Sequence, residues 1–397
     1  MDVQSIPFLS EVVPLDPSSS IQEHKVRRLT AAGENYGSLM LSVDITVKSP
    51  EGTREINAVA KMVPPNEYIQ KVFNTQVTFR NEIAFYREIV PTLRRFQQEQ
   101  GMANAIDFFP KYLGSRLNRD NSDRVDSDGI LLLENLKMAG YANLERTVGF
   151  DLEVAKVVVK DLAHLHAVPL GLKLQKPDVF EKKVKKYLSP FHPDDDEKIV
   201  EKMCNLVCSL DTCQKYHERA KSALWKMRDR NTTIREPFAT LVHDDCWVNN
   251  TMVKIQPGEV PKNKFVDFQI CNYGSPAKDL LFLLFSSVQN DVIRSECDNL
   301  IRLYHGTFVD VLRQLKCDTE PFSFEKFEQE IKFEALNTQF GHVVFMLTPI
   351  FAPKGSVKEL DEFSPEAFAE MVGSFASDLH KEKLALVVNE FGKRNWI

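Results

Sequence analysis

Leu241-Val242-His243-Asp244-Asp245-Cys246-Trp247-Val248-Asn249-Asn250, followed downstream by Phe265-Val266-Asp267-Phe268-Gln269, decides how the rest of this chain is read. Thr240-Leu241-Val242 and Lys264-Phe265-Val266 are short apolar runs separated by a polar break, the pattern of two small strands flanking a loop, with carboxylates at the strand ends. Asp245 then stands where a loop side chain accepts or aligns the proton of an attacking alcohol. Asn250 offers an amide oxygen to a metal, and Asp267 adds an anionic ligand. Mg²⁺ takes few protein oxygens and leaves its other positions to water and substrate phosphates, so one carboxylate plus one amide is chemically sufficient. A polar inter-strand loop with Asp244, Asp245 and Asn250 as turn formers is the plainer alternative. It accounts for either half of the pattern more readily than for both together.

The stretches upstream of this loop have the order a nucleotide site requires. Gly33-Glu34-Asn35-Tyr36-Gly37-Ser38 precedes the alternating run Leu39–Val47, as in a hairpin over phosphates, although two glycines alone also make an ordinary turn. Ile56-Asn57-Ala58-Val59-Ala60-Lys61-Met62-Val63 is a strand-like run with one embedded Lys. Val72, Phe79, Ile83, Tyr86 and Val90 recur at helical spacing, with Glu82 flanking the stripe. Phe108–Leu113 and Gly129–Leu136 are further strand candidates, joined through the polar loop Asn118–Asp128, expected at the surface. From Asp151 to Ala167 the period turns helical, and helical patterns recur over Cys297–Leu315 and Phe322–Met346.

This arrangement resembles the ecdysteroid kinase-like family of arthropods, within the wider choline kinase and aminoglycoside phosphotransferase group. The resemblance runs from Gly33 into the C-terminal helices. It rests on the His-x-Asp loop with Asn five positions after the Asp, on Phe79-x-x-Glu82 with Tyr86, on Glu134-Asn135-Leu136, and on Gly274-Ser275-Pro276-Ala277-Lys278-Asp279-Leu280. It implies an α+β, bilobal protein-kinase-like fold: a small antiparallel-sheet lobe with one helix over residues 1–136, including the crossover, and a larger, mainly helical lobe over 137–397. ATP would lie between them, under the Gly33 to Gly37 turn and against the backbone of Glu134 and Leu136, with Lys61 on its phosphates and Glu82 orienting that lysine. Asp245 would be the base or orienter, with Asn250 and Asp267 on Mg²⁺. The implied reaction is phosphorylation of a hydroxyl on an ecdysteroid or related lipophilic alcohol. Choline, ethanolamine or aminoglycoside kinases share the same catalytic set. The family loop usually reads His-Gly-Asp, and Asp244 stands in place of that Gly. An extra carboxylate there raises its neighbour's proton affinity or imposes an unfavourable backbone angle, which admits a non-catalytic nucleotide- or sterol-binding protein as a further alternative.

Composition bounds these readings. A chain of 397 residues, 43% hydrophobic and 27% charged, has ample material for two cores. A net charge of −6 argues against sequence-independent nucleic-acid binding. The N-terminus lacks a basic segment followed by an apolar one, and no run reaches the length of a membrane span, so a cytoplasmic protein without membrane insertion is expected. Seven cysteines without paired Cys-x-x-Cys spacing read as reduced, partly buried thiols. Only a dozen residues separate Asp267 from Asp279, too few for the peptide-binding activation segment of a protein kinase. His164, His166 and His243 are expected to be structural, and Asp279 to steady the loop. Phe340, His342, Phe345 and Met346 suit a pocket wall, but core packing explains them better.

Overall fold

Alternation along Leu39–Val47 sends Leu41, Val43, Ile45 and Val47 to one face, all essentially inaccessible to solvent. The computed structural model describes residues 5–29, 38–190, 197–228, 233–353 and 374–397. Strands β1 (Ser20–Arg28), β2 (Leu39–Ser49) and β3 (Gly52–Met62) precede helices α1 (Glu67–Val72), α2 (Thr75–Ala84) and α3 (Val90–Glu99). Strands β4 (Tyr112–Arg116) and β5 (Ile130–Glu134) complete an antiparallel sheet in the order β1-β2-β3-β5-β4.

The sheet has two different faces. Ala58, Ala60, Ile130 and Leu132 join the β2 row and are covered by Ile6, Leu9, Val12 and Val13 from the N-terminal segment. The period of two turns Lys61, Leu131 and Leu133 to the opposite face, towards the helix. A π-helical turn, Phe85–Ile89, joins α2 to α3, so the expected helix is continuous from Thr75 to Glu99, with α1 as a short additional piece.

Beyond the short strand β6 (Ala142–Asn143), helices dominate. They are α4 (Leu152–Gln175), α5 (Pro177–Lys183), α6 (Glu197–Cys208), α7 (His217–Arg228), α8 (Ala277–Ser287), α9 (Asn290–Gln314), α10 (Phe324–Glu334), α11 (Phe340–Phe351) and α12 (Asp378–Lys393). Between α7 and α8, among the described residues, lie four short strands: β7 (Thr240–Val242), β8 (Thr251–Lys254), β9 (Lys262–Phe265) and β10 (Asn272–Gly274). Strand β8 is central in the sheet β6-β8-β9, and β10 pairs with β7. The architecture is α+β and protein-kinase-like, with the sheet and its helix preceding a mainly helical remainder.

Several sequence expectations shift. Strand β1 was not foreseen because its Gln, Glu, His, Lys and Arg residues suit an edge, where charge protects unpaired backbone. The expected strand at Phe108 begins only at Tyr112, since Phe108 and Phe109 pack into an aromatic core and Pro110 has no N–H to pair. Helix α4 continues beyond Ala167 to Gln175, through Pro169. The Asn118–Asp128 loop is mostly exposed, as expected, but it is tied down. Asn118 Nδ2 donates to Ser122 O at 2.9 Å, and Gln76 brackets Val125. All seven cysteines are free.

The N-terminal cover is a close backbone contact. A Cβ on Gly114 would lie 1.9 Å from the Val12 carbonyl oxygen. Gly114→Ala should therefore lift this segment and cost about 1–3 kcal/mol, read as a lower midpoint in chemical denaturation.

Candidate active site

Lys61 lies at the end of β3 on the helix-facing side of the sheet, 4% exposed. Its Nζ is 2.6 Å from Glu82 Oε2 and 2.7 Å from Asp267 Oδ1. Three distant pieces of sequence thus meet at one ammonium. Burial alone would lower the lysine pKa, but the charges of Asp267 and Glu82 outweigh it and hold the amine protonated. Burial pushes Glu82 up to about 7 against the pull of Lys61. The Phe268 N–H also reaches this carboxylate. The Phe268 ring stacks on Phe85 at 3.7 Å between centroids and meets Tyr86 and Phe109 edge-on. That packing fixes Asp267, whose φ of 65° is left-handed.

The loop after β7 carries Asp245. Asn250 Nδ2 donates to both the Asp245 backbone oxygen, at 2.9 Å, and Asp245 Oδ2, at 2.8 Å. Burial, followed by the nearby charge of Asp267, raises Asp245 well above an ordinary carboxylate, and Asp244 adds to the shift. Because Asn250 donates through its nitrogen, its carbonyl oxygen is left for another partner. Asp267 has likewise committed Oδ1 to Lys61 and keeps a second oxygen. One amide oxygen and one carboxylate oxygen are the donor set that suits Mg²⁺.

Asp279, at the start of α8, holds the backbone of the loop. Its Oδ2 accepts from His243 N at 2.6 Å and its Oδ1 from Asp244 N at 2.9 Å. His166 Nε2 lies 3.0 Å from Oδ2, and Tyr304 Oη lies 2.6 Å from His166 Nδ1. Burial opposes the charge of Asp279, but these hydrogen bonds and both histidines hold its pKa below the usual value. The carboxylate therefore steadies the loop rather than capping its own helix. His243 Nδ1 accepts from Asp245 N at 3.3 Å and its Nε2 donates to Val266 O at 3.0 Å, which assigns the neutral Nε2–H tautomer. Burial lowers its pKa in agreement.

Glu134 ends β5, where its side chain accepts from Lys111 N at 3.1 Å and its own N–H donates to Lys111 O at 2.9 Å. Leu136 opens the short helix Leu136–Ala139, where the first N–H has no intrahelical acceptor. Gly33 and Gly37 lie outside the described residues. The structure joins Lys61 to Glu82 and Asp267, and Asp245 to Asn250. Tyr304 and the bracing role of Phe268 had no signal in the sequence, since an apolar helical stripe and a core Phe look the same without a fold. Cys246 is fully buried and its thiol is pushed well up, so it is shielded from alkylation.

The sequence matches the ecdysteroid kinase-like family over residues 32–317. The chain belongs to that family. No curated protein matches it. Similar solved structures include a choline kinase from Cryptosporidium parvum, 9% identical, covering 99% of this chain and 94% of that one, with a TM-score of 0.42. An ethanolamine kinase from Plasmodium vivax is 13% identical over 94% of this chain and 83% of its own, with a TM-score of 0.39. A choline/ethanolamine kinase family protein from Mesorhizobium loti is 10% identical over 92% of each chain, with a TM-score of 0.36. At that distance none of them indicates what this ecdysteroid kinase-like chain acts on.

This member departs from the expected loop at Asp244, and the backbone shows the cost. Asp244 adopts φ 65°, a conformation that Gly takes without strain. Asp244→Gly should stabilise the fold by about 1 kcal/mol, less whatever flexibility Gly adds to the unfolded chain. The measurement is a denaturation midpoint that rises while the slope stays constant.

Proposed function

We propose that this protein is an ATP-dependent kinase that phosphorylates a hydroxyl of an ecdysteroid or related lipophilic alcohol. The observation that carries this reading is the joining of two sets: Lys61 paired with Glu82 and Asp267, and Asp245 tied to Asn250 on the adjoining loop. In this reading residues 1–136 form the nucleotide-binding lobe and residues 137–397 the catalytic and acceptor-binding lobe. The crossover backbone at Glu134 and Leu136 meets the adenine edge, and Gly33 and Gly37 belong to the turn over the phosphates.

Asp267 and Asn250 would hold Mg²⁺, which when bound offsets the negative charge of the phosphates. Lys61 supplies a fixed positive charge to the nucleotide phosphates, and Glu82 keeps its side chain extended across the cleft. Asp245 orients the acceptor hydroxyl and takes its proton as the oxygen attacks the γ-phosphorus and ADP leaves. Asn250 fixes the carboxylate for that task by holding it at both backbone and side chain. Membership of the family supports the acceptor class. The left-handed Asp244 supports one rival, a protein that binds nucleotide or sterol without turnover.

The test is incubation of the protein with Mg-ATP and a panel of ecdysteroids, other hydroxylated lipids, choline and aminoglycosides, with phosphate adducts sought by mass spectrometry. A steroid phosphate that is absent with Asp245→Asn is the expected result. A choline or aminoglycoside phosphate would replace the acceptor, and nucleotide binding without any product would favour the non-catalytic rival. The sign of the pH dependence follows from the raised Asp245 pKa. A protonated Asp245 cannot accept a proton, so kcat should rise with pH through a limb above the ordinary carboxylate range. In Asp244→Gly that limb should move to lower pH.

A further inference from the structure

An acceptor must sit beyond Asp245; Asp279 of α8 holds this loop, and α8 packs against α10 and α11. Glu330, Glu334 and Thr338 recur at steps of four along α10 and the π-helical turn Ala335–Gln339 that continues it, which places them on one face. Turns of this kind are frequent at functional sites.

The two glutamates differ in their partners. Glu330 is fully engaged. Arg235 Nε and Nη2 each lie 2.8 Å from its Oε1, and Ser275 Oγ lies 3.2 Å from its Oε2. It is a strut between α10 and the segment leading into α8. Glu334, only 3% exposed, has Oε2 engaged by Thr338 Oγ1 at 2.8 Å, whereas its Oε1 has no partner among the described residues. Burial raises its pKa, and the charges of Lys278 on α8 and of Asp244 on the loop act on it in opposite directions. The Lys278 ammonium has no ion pair or hydrogen bond among the described residues. His342 feels the same Asp244 and Lys278 charges and is stacked on Phe282 at 4.4 Å.

We propose that Glu334, supported by Thr338 and flanked by Lys278, is a specificity-determining residue that accepts a hydrogen bond from a second hydroxyl of the acceptor. This rests on the phosphotransferase reading above and narrows it to neutral, polyhydroxylated acceptors. Glu334 Oε1 is not sealed among the buried unpartnered atoms, so an incoming hydroxyl can reach it and donate to it. A quaternary ammonium fits poorly. It would find no open aromatic face there, because His342 and Phe282 are stacked on each other.

The experiment is calorimetric binding of ecdysone (several hydroxyls), pregnenolone (one hydroxyl) and choline to the full chain with Mg²⁺ and a non-hydrolysable ATP analogue. Wild type should prefer ecdysone. Glu334→Gln should weaken ecdysone on the order of tenfold and leave pregnenolone and nucleotide affinity unchanged. Thr338→Val should move ecdysone in the same direction by less, which guards against misfolding of the first variant. Unchanged ecdysone affinity in Glu334→Gln, equal steroid affinities in wild type, failure to bind either steroid, or a preference for choline would overturn the proposal. Transfer is assayed separately on the same samples. Binding that depends on Glu334 without transfer removes the kinase reading alone, and transfer with an acceptor KM insensitive to Glu334→Gln removes this proposal alone.

Discussion

One buried ammonium sets the geometry on which the cleft depends. Lys61 binds Glu82 from α2 and Asp267 from the segment after β9, so the sheet, its helix and the catalytic segment cannot move independently without leaving a buried charge unpaired. Breaking such a group typically costs about 3–5 kcal/mol, far more than any exposed pair on this molecule contributes. The arrangement is also unbalanced, because a single cation serves two carboxylates while Asp245 and Asp244 stand close enough to act electrostatically on the same region. This surplus of negative charge is what a divalent cation and its phosphates would meet.

A second buried carboxylate organises the loop rather than the cleft. Asp279 collects two backbone N–H groups and His166, and Tyr304 completes the chain from α9. Each donor offsets part of the penalty of burying the charge, and together they hold the loop backbone at the turn from which Asp245 projects. Strand β10 pairs with β7 beside it, with Tyr273 opposite Leu241. The short stretch between Asp267 and Asp279 is thereby built into a sheet, with no length left over for a separate activation segment.

The Lys61 and Asp245 clusters were legible in the sequence because their residues sit at fixed offsets within local elements. Asp245 and Asn250 share one turn, Lys61 interrupts an apolar strand, and Glu82 flanks a helical stripe. The acceptor half was not legible, for a physical reason. Glu334 lies on an ordinary amphipathic helix, and its difference from Glu330 lies wholly in its partners, Arg235 and Ser275 for one and Thr338 for the other. No periodicity distinguishes a carboxylate whose oxygens are both engaged from one with an oxygen to spare. The strand at Ser20 was missed for a related reason, since an exposed edge has no need of the apolar alternation that marks strands elsewhere.

Asp244 connects the two halves. Its backbone must be left-handed for both its own N–H and that of His243 to reach Asp279, and Gly would meet that need without strain. The side chain is thus what the substitution adds, and its charge acts on Asp245 on one side and on Glu334 and His342 on the other. Within the acceptor proposal the carboxylate has a use: it balances the unpaired Lys278 ammonium near Glu334, at the cost of backbone strain and a base that holds its proton more tightly.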